Sequence, residues 1–215
     1  SAIGKAKKGG FKNYRSDDMA VQVRKQLVKN VPQLEPTTVN DVIVGCANPE
    51  GEQGLQVGRL ISARALGIEV PGITINRYCA SGLEAISLAV AKIKAGMGDI
   101  FIAGGAESMS LIPMTGYKLS PSYQANLENI NYHVSMGATA EAVAEKYNIT
   151  REAADNFSLA SHQKAVNAID QGYFKEEIVP IEVEEVFVSE GTVSYKHQKL
   201  LTTPYRQDKG GRVRV

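Results

Sequence analysis

The chain has 215 residues, of which 43% are hydrophobic, so it is long enough to bury a sizeable core. Lys and Arg number 24 and Asp and Glu 23, which leaves a formal net charge of +1. This balance gives no electrostatic attraction to nucleic acid or to an anionic membrane, and we predict neither as a partner. The apolar stretches are interrupted well before the roughly 20 residues that a membrane-spanning helix needs.

Two cysteines, Cys46 and Cys79, are too few for a disulfide framework and lie in unlike surroundings. They favour free thiols in a reducing compartment, and we expect a cytoplasmic protein. The first residues lack the apolar core of a secretory signal. A peroxisomal or mitochondrial-matrix location is the alternative if the source is eukaryotic.

Helical and strand patterns alternate between Ser16 and Ala106, which predicts an α/β fold around a buried, largely parallel sheet. Ser16 is the predicted N-cap of a first helix, which Pro32 closes. The pattern then predicts, in order, a strand over 42–46, a helix over 55–66 and a strand over 73–76.

The strongest helical pattern runs from about residue 80 to residue 97, and its other faces are rich in alanine. We therefore predict a central helix that is buried nearly all round. A strand over 100–103 follows and ends in Gly104 and Gly105, where backbone can approach closely. The large apolar residues that define the helix are Leu83, Ile86, Val90, Ile93 and Met97.

The composition and periodicity of the sequence change beyond Glu107. Residues 110–134 contain Pro, Gly and Asn without a sustained period, which predicts a long loop of the kind that forms lids or binding surfaces. Two helical segments follow, the second with Thr150 as its predicted N-cap. Residues 179–188 alternate like an exposed strand, and the stretch 196–215 has no predicted element.

Cys79 lies in the segment that joins a predicted strand to the central helix, Asn-Arg-Tyr-Cys-Ala-Ser-Gly at 76–82. The thiol is therefore expected at a helix N-terminus, where unpaired N–H groups and the helix dipole favour a thiolate. The same N–H groups can bind the negative oxygen that develops when a thioester carbonyl is attacked. Cys79 is thus the candidate catalytic nucleophile.

The alternative for any lone cysteine beside an apolar helix is a small buried core residue. Cys46 provides the internal comparison, because it ends a β-branched run and no helix begins at it. We predict that Cys46 is such a core residue. The two thiols therefore need different explanations.

Residues 76–85, Asn-Arg-Tyr-Cys-Ala-Ser-Gly-Leu-Glu-Ala, resemble the acyl-enzyme signature of the thiolases, which exchange acyl groups between coenzyme A thioesters. Other segments resemble the same family in order and spacing, from about residue 1 to residue 183. They are AGGAESMS at 103–110, SMGATAE at 135–141, YNITR at 147–151 and FKEEIVP at 174–180.

This resemblance implies a layered αβαβα fold, of which the chain would be the first half only, with an inserted loop domain. Residues 1–108 are then the amino-terminal α/β half, and residues 109–215 are the substrate-binding loop domain with an unassigned tail. Thiolases are about twice as long as this chain, so the second half is expected to be missing, as is the first strand.

The resemblance also implies a reaction. Cys79 would take the acyl group from a 3-ketoacyl-CoA while acetyl-CoA leaves, as in fatty acid β-oxidation, and a second coenzyme A would resolve the acyl-enzyme. The reverse is a Claisen condensation. Coenzyme A is then a substrate, and no cofactor or metal is implied. The implied partners are acyl-CoA, coenzyme A and further copies of the chain in a homodimer or higher homo-oligomer.

The predicted substrate-binding residues are Ser135, Met136 and Gly137, by their match to the loop domain of the family. Ser135 stands where some thiolases carry a His, which favours a broad 3-ketoacyl specificity over a biosynthetic short-chain one. His133 lies just before this segment.

Three other groups that thiolases use do not occur in the sequence: the His of Gly-His-Pro, the Cys of Cys-x-Gly and the Asn of Asn-Glu-Ala-Phe. The catalytic set is incomplete, so we expect this chain to be inactive by itself and its exposed half-core to associate. Two alternatives stay open: a ketoacyl-synthase-like condensing enzyme, and a non-catalytic thiolase-derived assembly module. A cysteine protease is the least favoured.

Overall fold

The computed structural model describes residues 4–189 and 192–200, with the surroundings of side chains for residues 4–184. The chain forms two compact units. The first runs up to Tyr117 and resumes at Glu177, and the second is Lys118–Glu176. The domain boundary predicted after residue 108 concerns the family's domains and stays a prediction.

A three-stranded parallel sheet forms the centre of the first unit, in the order β2-β1-β3. The central strand β1 places Val42 opposite Gly72 on one side and Ile102 on the other. Its β-branched residues are fully buried, as expected for a parallel strand that is covered on both faces. The strands are β1 (Asp41–Gly45), β2 (Gly72–Ile75) and β3 (Phe101–Gly105). The predicted α/β class with a parallel sheet is confirmed.

Three helices cover this sheet: α1 (Ser16–Lys29), α2 (Val57–Ala65) and α3 (Ser81–Lys94). Val42 and Val44 pack in one core cluster with Val21, Val57 and Ile61, which lie on α1 and α2. Ile43 packs in another cluster with Ala85 and Ala89 of α3. Because successive strand residues point to opposite faces, α1 and α2 cover one face of the sheet and α3 the other.

The start of α1 differs from the prediction. Arg15 occupies the N-cap position without a side-chain cap, and Ser16 is the first helical residue. The buried Ser16 hydroxyl has no hydrogen-bond partner among the described residues. The first turn is tied by ion pairs instead, because Asp17 accepts from Arg15 Nε at 2.9 Å and from Arg64 Nη1 at 2.8 Å.

The prediction that α3 is buried nearly all round is wrong. Its buried face consists of small residues, with Ala85 fully buried and Ala89 7% exposed. Small side chains let the helix lie close to the sheet, and the described residues cover only that face. The five large apolar residues point elsewhere and are 45–72% exposed: Leu83, Ile86, Val90, Ile93 and Met97.

The second unit is helical. Its elements are α4 (Tyr123–Glu128), a short 3-10 turn (Ile130–His133), α5 (Met136–Lys146) and α6 (Arg151–Asp170). The stretch predicted as a long loop therefore contains one short helix and the 3-10 turn. The Thr150 cap is confirmed, since its Oγ1 accepts from the Ala153 N–H at 3.2 Å. None of the three α-helices has a buried residue.

An antiparallel hairpin belongs to the first unit, with strands β4 (Ile181–Ser189) and β5 (Thr192–Leu200). The strand predicted over 179–188 is confirmed. Residues 196–200 of the stretch without a predicted element lie in β5, and residues 201–215 lie outside the described residues. Within the described ranges, no helix has the length and apolar content to cross a membrane.

Candidate active site

The three parallel strands bring their carboxyl ends to one edge of the sheet, and the chemistry-bearing residues lie just beyond those ends. Cys79 lies between β2, which ends at Ile75, and α3, which begins at Ser81. Its thiol is free and exposed. Ala80 occupies the N-cap position without a side-chain cap, so the cysteine directly precedes the helix start.

The turn that carries Cys79 has an uncommon backbone. Tyr78 has a φ of 46°, in the left-handed region that few non-glycine residues adopt. Two side chains hold it there. The Asn76 Oδ1 accepts from the Tyr78 N–H at 2.7 Å, and the Ser81 hydroxyl donates to the Tyr78 carbonyl at 2.6 Å. The Ser81 hydroxyl also accepts from the Arg77 N–H at 2.8 Å.

The first turn of α3 lies directly on the end of β1. A Cβ added at Gly45 would lie 2.4 Å from the Ser81 carbonyl carbon and 2.7 Å from the Gly82 nitrogen. Only glycine fits at such a close approach between backbones. A Cβ added at Gly82, by contrast, would meet nothing within 4 Å. The helix start is therefore close to the sheet on one side and open on the other.

Cys46, at the neighbouring strand end, has the opposite surroundings. It is 1% exposed, which confirms the predicted core residue. Burial, with the Glu107 carboxylate beside it, raises the pKa of the Cys46 thiol to about 12. This cysteine is protonated at neutral pH and out of contact with solvent, so it is not a nucleophile in the folded protein.

Gln53 and Glu107 complete this strand end, and the sequence had not indicated a role for either. The Glu107 carboxylate accepts from Gln53 Nε2 and from the Ala47 N–H, both at 2.6 Å. Gln53 is fully buried and also donates to the Asn48 carbonyl at 3.0 Å. Gln53 falls in a glycine-rich stretch that looks solvent-exposed. The sequence offered one indication of the Glu107 position: it follows a predicted parallel strand, and the carboxyl ends of parallel strands converge at one edge of the sheet.

The three predicted substrate-binding residues lie at the start of α5. Ser135 is its N-cap, and its hydroxyl accepts from the Ala138 N–H at 3.2 Å. Met136 is 73% exposed, and Ser135 and Gly137 are exposed as well. These residues belong to the second unit, whereas Cys79 belongs to the first. Their role in substrate binding stays a prediction. His133 Nδ1 lies 2.7 Å from Asn126 Oδ1.

A comparison with protein families identifies the fold. The family model described as "Thiolase, N-terminal domain" matches residues 1–200. The chain belongs to the thiolase family. The resemblance seen in the sequence is thereby confirmed, together with the thiolase-like α/β fold of the amino-terminal half.

Individual thiolases agree with this assignment. The 3-ketoacyl-CoA thiolase of Bacillus subtilis (strain 168) is 44% identical over 211 residues, covering 98% of this chain and 53% of the relative. The 3-oxoadipyl-CoA/3-oxo-5,6-dehydrosuberyl-CoA thiolase of Escherichia coli (strain K12) is 40% identical over 191 residues, covering 80% of this chain and 47% of the relative. The chain spans about half the length of the curated thiolases it matches.

A solved structure gives the same result. The Bacillus anthracis acetyl-CoA acetyltransferase aligns with a TM-score of 0.71 and 33% identity, over 92% of this chain and 52% of that chain. The three parallel strands and their helices are thus those of a thiolase amino-terminal half. Nothing in these comparisons favours the ketoacyl-synthase alternative over a thiolase.

Proposed function

We propose that the protein containing this thiolase domain transfers acyl groups between coenzyme A thioesters through an acyl-Cys79 intermediate. One observation carries the proposal: the exposed thiol at the start of α3, inside the segment that resembles the thiolase acyl-enzyme signature. Buried Cys46, with its pKa raised to about 12, leaves Cys79 as the nucleophile of the pair.

The proposed reaction begins with attack of the Cys79 thiolate on the 3-keto carbon of a 3-ketoacyl-CoA. The new S–C bond forms while the bond between carbons 2 and 3 breaks, and its electron pair goes to carbon 2. That carbon takes up a proton, and acetyl-CoA leaves. The thiolate of a second coenzyme A then attacks the acyl-Cys79 carbonyl and releases the shortened acyl-CoA and the Cys79 thiolate.

The helix start supports the negative charges in this sequence of steps. The N–H groups of Ala80 and Ser81 donate to the carbonyls of Arg77 and Tyr78 within the turn. The next N–H groups, in the first turn of α3, carry the positive end of the helix dipole, which stabilises an oxyanion placed there.

The finer assignments follow the family. We propose 3-ketoacyl-CoA as the substrate class, with thiolysis, as in fatty acid β-oxidation, or the reverse Claisen condensation as the direction. We propose Ser135, Met136 and Gly137 as part of the acyl or pantetheine pocket. The name of the Bacillus subtilis relative supports the substrate class. A cytoplasmic location and a homo-oligomeric state belong to the same proposal. The exposed apolar face of α3 supports association with further protein.

Peptide-resolved mass spectrometry tests the acyl-enzyme. The full-length protein that contains this thiolase domain is exposed briefly to acetoacetyl-CoA, quenched in acid and digested, and an acetyl adduct is expected on the peptide that contains Cys79. A Cys46→Ser variant should keep the adduct and a Cys79→Ser variant should lose it. An unmodified Cys79 in the full-length protein would overturn the proposal.

Turnover is a separate measurement. We propose that the 215-residue chain by itself does not complete thiolysis, because a proton donor and acceptor tuned near neutral pH is needed and the Gly-His-Pro and Cys-x-Gly segments do not occur in it. Release of acetyl-CoA from acetoacetyl-CoA and coenzyme A is the assay. Sustained release by this chain would contradict the inactivity.

A further inference from the structure

Asn76 connects the Cys79 turn to the neighbouring strand end. It comes directly after the last residue of β2, and its side-chain amide makes hydrogen bonds in two directions. Its Oδ1 accepts from the Tyr78 N–H at 2.7 Å, and its Nδ2 donates to the Ala47 carbonyl at 2.9 Å. One planar group thus links the turn after β2 to the residues after β1.

The Ala47 end of this link is itself held in place. The Ala47 N–H donates to the Glu107 carboxylate, which lies after β3 and also accepts from fully buried Gln53. Hydrogen bonds therefore run from Glu107 through Ala47 and Asn76 to Tyr78, across the ends of all three strands. The turn that carries Cys79 is thus tied to a buried anchor.

The turn needs such support because Tyr78 is strained. A φ of 46° is unfavourable for a residue with a Cβ. The Tyr78 side chain is 74% exposed, so packing of its ring contributes little to holding this conformation. Hydrogen bonding must therefore hold it, at the Tyr78 carbonyl through the Ser81 hydroxyl and at the Tyr78 N–H through Asn76. The bond to Asn76 is the local turn that asparagine forms with the residue two positions on.

We propose that Asn76 is a positioning residue for Cys79: it holds Tyr78 in the left-handed conformation and so fixes the thiol at the start of α3. The proposal rests on the proposed function, in which Cys79 is the nucleophile. Alanine at position 76 would keep neither bond. Serine would keep a hydroxyl acceptor for the Tyr78 N–H, without the reach to donate to Ala47.

The test is the alkylation rate of Cys79 by iodoacetamide, measured on its own peptide by mass spectrometry at one pH. Asn76→Ala is expected to slow alkylation by about fivefold or more, because it loses the bond to the Tyr78 N–H, whose net loss alone corresponds to about fivefold, together with the bond to Ala47. Asn76→Ser should restore the rate to within about twofold of wild type, because the local turn is kept. Thermal unfolding of each variant is measured in parallel.

Asn129→Ala is the matched control. Asn129 forms the same kind of turn, with its Oδ1 accepting from the Asn131 N–H at 2.9 Å, but in the second unit. It should leave the Cys79 rate unchanged. If Asn76 had only a structural role, both Asn76 variants would lower thermal stability and would show the same Cys79 alkylation rate.

Equal rates in wild type and Asn76→Ala would overturn the inference, as would a serine variant as slow as alanine. If Asn76→Ala does not fold, the serine variant decides: a rate within about twofold of wild type supports the inference, and a slower rate counts against it. The acyl adduct on wild-type Cys79 is a separate readout. Its absence would remove the proposed function, while the alkylation ratios would still test the positioning.

Discussion

The ends of β1 and β2 lie side by side in one parallel sheet, and a cysteine lies just beyond each. Cys46 is 1% exposed and Cys79 is exposed. The two strands also differ in place, since β1 is the central strand and β2 lies at an edge of the three described strands. After Cys46 the chain folds back and is held by Gln53 and Glu107, whereas a helix starts two residues after Cys79. The place of the strand and the connection after it together decide whether its cysteine is exposed.

The sharpest test of this comparison is the ratio of the two alkylation rates in the native protein. With a pKa of about 12, Cys46 has almost no thiolate at pH 8, and reagent cannot reach it without opening of the fold. We expect Cys79 to react at least about 1000-fold faster than Cys46 with iodoacetamide. Peptide-resolved mass spectrometry over time gives both rates.

Comparable labelling of the two thiols would show that the connection over Cys46 opens readily, and the contrast between the strand ends would be lost. A denatured sample is the control, since both cysteines should then react at similar rates.

The contrast between the cysteines could be predicted from the sequence, because strand and helix patterns show which element comes after each thiol. The hydrogen bonds from Glu107 to Asn76 could not. The side chains of Glu107 and Asn76 both bond to the backbone of Ala47, which is far from each of them in sequence. These contacts form only because three strand ends converge, and no periodicity in the sequence indicates them. Asn76 lay inside the segment that resembles the family signature, but its two partners appear only in the structure.

Glycine substitutions test whether the Cys79 turn depends on its contact with β1. Gly45→Ala places a Cβ 2.4 Å from the Ser81 carbonyl carbon, so the start of α3 must move. We expect a loss of about 3 kcal/mol in the free energy of unfolding, at the upper end for overpacking. Urea denaturation measures it, and the Cys79 alkylation rate should change as well.

Gly82→Ala is the matched control, because a Cβ there meets nothing within 4 Å. Alanine favours helix over glycine, so stability should stay level or rise by about 0.5 kcal/mol. Equal losses for the two substitutions would contradict the close contact between α3 and β1.

The pH dependence of stability tests the burial of Cys46, the unreactive member of the pair of cysteines. Cys46 has an ordinary pKa of 9.0 and a folded pKa raised to about 12, mainly by burial. Above pH 9 the unfolded chain loses the Cys46 proton while the folded chain keeps it. The stabilisation is therefore complete below pH 9 and is lost as the pH rises toward 12, by roughly 3 kcal/mol at pH 11.

A Cys46→Ala variant separates this effect from other groups that titrate at high pH. Its free energy of unfolding should fall less steeply than that of wild type between pH 9 and pH 11, as measured by urea denaturation at each pH. Parallel curves for the two proteins would mean that Cys46 is more accessible to solvent than its position implies.

The exposure of α3 shows where sequence patterns mislead. Its apolar spacing predicted burial all round. An apolar stripe, however, indicates only that its side chains favour apolar surroundings, and it does not say which part of a protein supplies them. The described residues provide the sheet for one face and nothing for the other. The alanines on the face between the large residues, Ala85 and Ala89, are the ones that pack with Ile43 of β1.

Substitutions on the two faces of α3 give the smallest and most local test, since this helix is what makes the Cys79 end differ from the Cys46 end. Ala85→Leu adds volume between α3 and the sheet and should cost about 1 to 2 kcal/mol. Ile86→Gln changes a side chain that is 51% exposed and should cost less than about 0.5 kcal/mol. Denaturation at several protein concentrations checks both. A large, concentration-dependent loss for Ile86→Gln would mean that another copy of the chain covers this face, so that the helix behind Cys79 has support on both sides.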